Sequence, residues 1–376
     1  MTDIVHVITS LDVGGAEVLL ADLVTRSNGT FRHRVISLLP GGDVRPRLER
    51  AGIPVTDLGM RHGRPSLRAL LALRRAVGAA RPDVVHAWMY HACFAAALAR
   101  PRGSRLLWGL HSANMDLALH PITTSLVVTT ACRMLSRMPD TIVVNSSETR
   151  DYHSELGYKP KQWALIANGI DAEEFRPDPA RRAQTRAALG VPDDVPLIGF
   201  IARRDPQKDH VTFLRAAERL TQQMPAVQFV LAGLFTDDRL MDDLVRRHAP
   251  TTRLHRLGVR TDIAAVTAAL DVATVCSFGE SFSNSLAEAM SCGVPCVVSD
   301  VPPLPEILAG TGSVVKGADP DALAGAWRSI LSETPARRQD RGNRARQRIL
   351  TDFSAANMVS RFEALYRAIQ RNHRHP

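Results

Sequence analysis

Two carboxylates, Glu280 and Glu288, stand with seven residues between them in the stretch F-G-E-S-F-S-N-S-L-A-E-A-M. Ser281, Phe282, Ser283, Asn284 and Ser285 lie in the interval, most of them small hydroxyl or amide residues. This layout suits a nucleotide-sugar. Carboxylates accept hydrogen bonds from sugar and ribose hydroxyls, and the free N–H groups of a helix start hold a phosphate. Each acid also has a plain structural reading: Ser285 and Glu288 fit a capping box, and Glu280 fits a solvated loop acid. A basic group supplies the missing charge. Between the strand-like L-I-G-F-I-A and the helical V-T-F-L-R-A-A-E-R-L come Arg203, Arg204 and Lys208. Cations near a helix start oppose the macrodipole, so three together beside a strand end point to a diphosphate. Arg203 suits a bidentate grip and Lys208 a point charge, while Arg204 is expected to face solvent.

Further candidates sit on other loops. Gly14 and Gly15 follow the first strand-like run and open a helix, allowing close backbone approach to an anion. They do not form the G-x-G-x-x-G dinucleotide fingerprint. His111 follows directly on R-L-L-W-G-L and precedes Ser-Ala-Asn, so His111 and Asn114 are candidates on the acceptor side. Two loops are candidates for the base and ribose: residues 257–260, with Gly258 and Val259, and the turn 168–171.

The elements that must position these residues form a repeated strand–helix rhythm. Short apolar runs without alternation occur near 3–9, 33–39, 54–58, 83–88, 105–110 and 141–145. A second series follows near 197–202, 227–232, 253–257, 271–275, 295–299 and 313–316. Such runs fit parallel strands buried on both faces. The expectation is two doubly wound α/β domains, 1–167 and 168–352, with a Pro-, Asp- and Gly-rich linker over about 168–196. A helical tail, 353–376, carries the spaced aromatics Phe362 and Tyr366.

Composition sets the limits. A chain of 376 residues exceeds what one core usually supports, and 45% hydrophobic with 23% charged residues is ordinary for a globular protein. The N-terminus enters directly into a strand-like pattern without a basic leader, and five scattered cysteines suggest neither a disulfide framework nor zinc, so a cytoplasmic setting is expected. No metal is expected. The net charge of +9 is carried almost wholly by arginine, dispersed and not interleaved with the 5% aromatics, which argues against nucleic acid. One cluster is denser. Six arginines and no acid lie between Asp57 and Asp83. A helix over 66–80 would place Arg68 and Arg75 on one face and Leu67, Leu70, Leu71 and Val77 on another. The plain reading is a surface helix with its apolar stripe in the core; with the apolar segment 121–135, the sharper one is a patch that meets anionic lipid head groups or an anionic acceptor.

The motifs G-G-A-E, W-G-L-H-S-A-N, A-N-G-I-D, A-R-x-D-P-Q-K-D, L-G-V-R-x-D-I and E-x7-E followed by A-M-S-C-G-V-P-C-V-V-S-D resemble those of family-4 retaining glycosyltransferases. The resemblance runs almost end to end. It implies a GT-B fold, with two Rossmann-like domains facing across a cleft and a last helix crossing back onto the N-terminal domain. It implies a nucleoside diphosphate sugar donor, UDP- or GDP-linked, and no cofactor. The acceptor would be a saccharide or lipid-linked saccharide. By the same resemblance Glu280 meets donor-sugar hydroxyls, Glu288 the ribose, and Arg203, Lys208 and the 281–285 amides the diphosphate. His111 would meet the sugar near the reacting centre. The family's usual Gly is Ala202 here, and Ser283 stands where Pro is common. A sugar-nucleotide epimerase and a non-catalytic sugar-nucleotide-binding protein are the alternatives.

Overall fold

The computed structural model describes residues 1–12, 14–60, 67–113 and 122–374. Asn114 therefore lies outside the described residues, as do Arg61 and Arg64 of the arginine-rich stretch. The chain forms two compact units, Met1–Gly169 with Ala355–Pro376, and Ile170–Ser354.

The first unit is built on seven parallel strands: β1 (Thr2–Ile8), β2 (Phe31–Ser37), β3 (Val55–Asp57), β4 (Val84–Trp88), β5 (Arg105–Leu110), β6 (Thr141–Val144) and β7 (Trp163–Leu165), in the order β3-β2-β1-β4-β5-β6-β7. Alternation along β1 divides its side chains between two cores. Ile4 and Ile8 join the last helix, Ala355–Arg374, through Met358, Phe362 and Tyr366, while Val5 and Val7 join the other face. There the helix Leu67–Ala80 packs on the helix Tyr90–Ala99, and that in turn on the π-helical stretch Val127–Cys132.

The second unit repeats the plan with β8 (Leu197–Ile201), β9 (Gln228–Ala232), β10 (Arg253–Arg256), β11 (Val272–Val275), β12 (Cys296–Ser299) and β13 (Ser313–Val315), all parallel, in the order β10-β9-β8-β11-β12-β13. Order reverses at β1/β4 in the first sheet and at β8/β11 in the second. At such switch points the following loops diverge and leave a crevice beyond the carboxyl ends. One core here is aromatic: Phe213 meets Phe200, Phe229 and Trp327 at centroid distances of 5.3–6.0 Å.

Three expectations change. The three-residue β7 is missing from the expected strands. The 168–196 segment holds a full helix, Pro179–Leu189, capped by Asp178 and closed by Gly190 in the left-handed region. In the helix Leu67–Ala80 the buried residues are Ala69, Leu73 and Val77, whereas Leu67 and Leu71 are exposed. The apolar stripe is therefore rotated from the expected face.

The helix Pro179–Leu189 is fixed by Arg186, which is 1% exposed. Its guanidinium donates to the carbonyls of Ala269 (3.0 Å) and Pro192 (2.7 Å), to that of Val195, and to Asp271 (3.2 Å). Asp271 also takes Arg182 at 2.7 Å and the Leu197 N–H at 2.8 Å. One carboxylate thus registers the start of β8, the approach to β11 and the helix. All five cysteines, Cys93, Cys132, Cys276, Cys292 and Cys296, are buried and unlinked, and burial raises every one of their thiol pKa values.

Candidate functional site

In the second unit, Arg203, Arg204 and Lys208 follow β8, and Glu280 follows β11, on the two sides of the switch point. Lys208 Nζ donates to Glu280 Oε1 at 2.6 Å, bridging the divergent loops. Ser277 Oγ donates to the same oxygen at 2.7 Å, and the Ser277 carbonyl is held by Ser299 Oγ at 2.8 Å. The Phe278 N–H reaches the Gln207 carbonyl at 2.7 Å. Glu280 is only 7% exposed, so it is a paired, buried acid and not the solvated loop acid of its plain reading. Ser277, absent from the sequence-based candidates, completes its setting. The available signal was a hydroxyl three residues before the acid, in the same loop.

Of the two arginines, Arg204 departs from expectation. Arg204 is turned inward, donating to Asp238 at 2.7 Å with its guanidinium over the Phe235 ring, so it does not face solvent. Arg203 is the open one. Its side chain is 61% exposed and lies against Asp205 at 2.9 Å. Burial tends to raise the Asp205 pKa, but the Gln207 N–H and the Arg203 guanidinium outweigh it and hold the carboxyl below its usual range.

The helix Asn284–Ser291 begins one turn beyond Glu280. Ser283 is its N-cap, accepting from the Leu286 N–H at 3.4 Å, with the Ser285 hydroxyl also 3.4 Å away. That displaces the Ser285–Glu288 capping box: counted from Ser283, Glu288 is too far along the helix to reach back to the cap. Phe282 is buried and meets Phe353 edge-on at 5.6 Å, so its side chain is committed to packing. Ser281 and Asn284 beside them are half-buried.

Glu288 is half-buried on this helix, and the burial of its carboxyl raises its pKa from 4.5 to about 7. The folded chain therefore holds this proton more tightly than the unfolded chain. Its stabilising contribution is complete below 4.5 and is lost as pH rises to about 7. Buried imidazoles act in the opposite sense: burial lowers His33, His111, His153 and His210 from 6.5 to about 4, so each adds stability as pH rises from about 4 to 6.5. The difference between Glu288→Gln and the parent isolates the acid. In urea titrations the variant should gain relative stability steadily from pH 4.5 to 7, and a flat difference would contradict a buried protonated Glu288.

The remaining candidates divide. Gly258 (φ +60°) follows β10, and its carbonyl accepts from the Gly233 N–H at 2.7 Å; a Cβ there would strike Asp237. Val259 beside it is exposed. These two line the carboxyl edge of the same sheet. The 168–171 turn serves the chain instead: the Ile170 N–H donates to the Phe353 carbonyl at 2.8 Å, and Asp171 accepts from the Glu173 and Glu174 amides.

In the first unit, Gly14 caps the helix Gly15–Arg26, but a Cβ at Gly14 would lie 2.3 Å from the Glu17 carboxylate. The chain's own acid thus occupies the start of that helix, and burial raises its pKa. His111 lies just past the carboxyl end of β5 and stacks on Trp88 at 5.3 Å and 17°. Beneath it runs an ordered chain: Trp88 Nε1 donates to His6 Nδ1 (3.1 Å), His6 Nε2 meets His33 Nδ1 (2.9 Å), and His33 Nε2 meets Ser27 Oγ (2.8 Å). Ser27 Oγ ends the run by donating to the Leu23 carbonyl. Since indole only donates, each imidazole takes one tautomer and both are neutral. This buried histidine array was not anticipated from the sequence.

Among the described residues, no group of three His, Cys, Asp or Glu is placed to hold a metal ion, and no helix is long and apolar enough to cross a membrane.

A double Rossmann-like fold with paired charges at the switch point of its second sheet defines the class. Residues 13–174 match the family described as Glycosyltransferase Family 4, and residues 195–333 match Glycosyl transferases group 1. The chain belongs to these glycosyltransferases, and its fold is GT-B. It is similar to the D-inositol 3-phosphate glycosyltransferase of Mycobacterium tuberculosis, 33% identical over 242 residues, which are 61% of this chain and 48% of that protein. The chain thus spans about half the length of the curated relatives it matches. Among solved structures, Anabaena HepE in complex with UDP and glucose superposes with a TM-score of 0.84 at 22% identity, covering 97% of this chain and 99% of that one. Sucrose-phosphate synthase from Thermosynechococcus elongatus superposes with a TM-score of 0.81 at 20% identity, covering 99% and 100%. At these identities the likeness is one of fold.

Proposed function

We propose that this chain transfers a sugar from a nucleoside diphosphate sugar to a hydroxyl of a saccharide or lipid-linked acceptor, with retention and without a metal. The Lys208–Glu280 pair across the β8/β11 switch point carries the reading. A half-buried ammonium tethered by a buried carboxylate can neutralise the diphosphate that departs, and preorganised charge of this kind needs no reorganisation during reaction. Arg203 adds a second, exposed cation, and the amides at the start of the helix Asn284–Ser291 add dipoles. Glu280 has a second oxygen for sugar hydroxyls, and Glu288, once ionised, accepts from ribose. The complexes of HepE with UDP and with UDP-glucose support a UDP-linked donor, and the mycobacterial relatives' name supports glycosyl transfer.

The acceptor belongs to the first unit in this proposal, with His111 as its marker at the end of β5. Leu67 is exposed on the helix Leu67–Ala80, which also carries Arg68, Arg74 and Arg75, and Ile122 and Leu126 are exposed on the short helix that leads into Val127–Cys132. Apolar side chains among arginines support peripheral association with an anionic membrane surface, as at the inner face of a cell membrane.

A thermal-shift panel of UDP- and GDP-sugars tests the donor reading, since a ligand that binds only the folded state raises Tm. One nucleotide class is expected to shift Tm and to be turned over, at an undiminished rate in chelator. No shift and no turnover across the panel would overturn the reading. Loss of turnover in chelator, restored by a divalent ion, would overturn its metal independence.

A further inference from the structure

We propose that the first unit carries a separate phosphate-binding pocket where the helical segment ending at Leu135 meets the loop that leads into β7. A cavity of about 460 Å³ opens there, within the size range of small-molecule sites. Arg133, Arg137 and Lys159 line it together with Thr129, Thr130 and Ser136, and no carboxylate is among the lining residues. None of the three cations has an ion-pair partner among the described residues, although Lys161, two residues beyond Lys159, is paired with Asp140.

A basic end to a helix is common because cations complement its dipole, and that alone would explain Arg133 and Arg137. It does not explain the loop. Lys159 enters from a different segment, and its N–H is tied to Ser136 Oγ at 2.9 Å, while the same hydroxyl donates to the Arg133 carbonyl at 2.7 Å. Tyr158 pins the loop from beneath by donating to the Val128 carbonyl at 2.7 Å. Gly157, at φ +86°, admits the Arg133 side chain across the turn: a Cβ there would lie 2.9 Å from Arg133 Nε. The backbone of the loop is thus fixed beside the helical segment, and exposed cations from both segments line one cavity. Convergent positive donors with hydroxyls and no competing acid fit a phosphate group, which has oxygens for several charge-assisted bonds at once.

The pocket precedes β6 and β7 and so lies at the amino ends of parallel strands, whereas His111 lies past the carboxyl end of β5. It is not part of the site described above, and its test is independent of the donor. The phosphate is either that of a lipid head group, which the exposed Met134 beside the pocket would suit, or that of a soluble phosphoester.

The test titrates inorganic phosphate into the full chain at constant ionic strength, with chloride making up the balance, and follows Tm and binding heat. Arg133→Ala/Lys159→Ala and the milder Arg137→Gln should weaken phosphate binding at least about tenfold, the scale of lost charge-assisted bonds, with no change of Tm in chloride. Arg203→Ala/Lys208→Ala, run alongside, should keep this component, which separates the pocket from the donor loops. A wild-type response in the pocket variants, or no saturable response in the parent, overturns the proposal. Flotation with phosphatidylcholine vesicles containing phosphatidate then identifies the source. Capture that is lost in the pocket variants assigns a lipid phosphate, whereas no capture beside intact phosphate binding assigns a soluble phosphoester.

Discussion

Lys208→Ala is expected to lower kcat for sugar transfer by roughly 10²–10³-fold, the scale of removing one preorganised charge from a developing anion. The structure makes the interpretation separable from simple damage. Removing the ammonium strands Glu280, which is 7% exposed and, among the described residues, would keep the Ser277 hydroxyl as its side-chain partner. Stability should therefore fall too, by about 1–3 kcal/mol for an unsatisfied buried group. Lys208→Ala/Glu280→Gln removes the stranded charge and should recover much of the Tm while leaving turnover low. Near-normal turnover in Lys208→Ala, measured with saturating donor, would sink the assignment of the leaving group to this loop.

The second large effect is structural. Arg186→Ala should destabilise the second unit by about 3–5 kcal/mol, because breaking one side of a buried ion pair leaves its partners uncompensated. The loss falls on Asp271 and three carbonyls together. For a unit of this size it corresponds to a fall in Tm of roughly 10 °C. Arg186→Lys should recover little, since one ammonium cannot serve acceptors spread on both sides of a planar fork. A Tm within about 2 °C of the parent would show that Arg182 alone can hold Asp271.

Arg186 also shows where sequence reading stops. The segment around it looks like a linker because Pro, Asp and Gly crowd its ends, yet the same residues are its helix punctuation: Asp178 caps, Pro179 begins and Gly190 ends it. Composition alone does not distinguish a loop from a short helix bounded by breakers. The buried strands were legible, since β1, β4, β5, β8 and β9 must be apolar on both faces. The half-buried β7 was not, being three residues long at the edge of its sheet.

At the site, residue types were legible and pairings were not. Glu280 and Lys208 are 72 positions apart, and only the parallel order β8 next to β11 brings them within hydrogen-bond distance. Arg203 and Arg204 are adjacent, yet which one stays open depends on Asp238 and Phe235 from the following loop. His111 was picked out by its place after a strand. The imidazoles of His6, His33 and His86 come together only because β2, β1 and β4 are neighbours and present them to one face. His86 is then tied to Tyr366 of the last helix at 2.8 Å.

The buried cysteines have a practical consequence. With every native thiol shielded and held in its protonated form at neutral pH, alkylating dyes and spin labels find no ready nucleophile in the folded chain. A single cysteine introduced at an open position such as Val259 would thus be the site of modification without any prior cysteine replacement. The protein comes with a silent background for spectroscopic reporters.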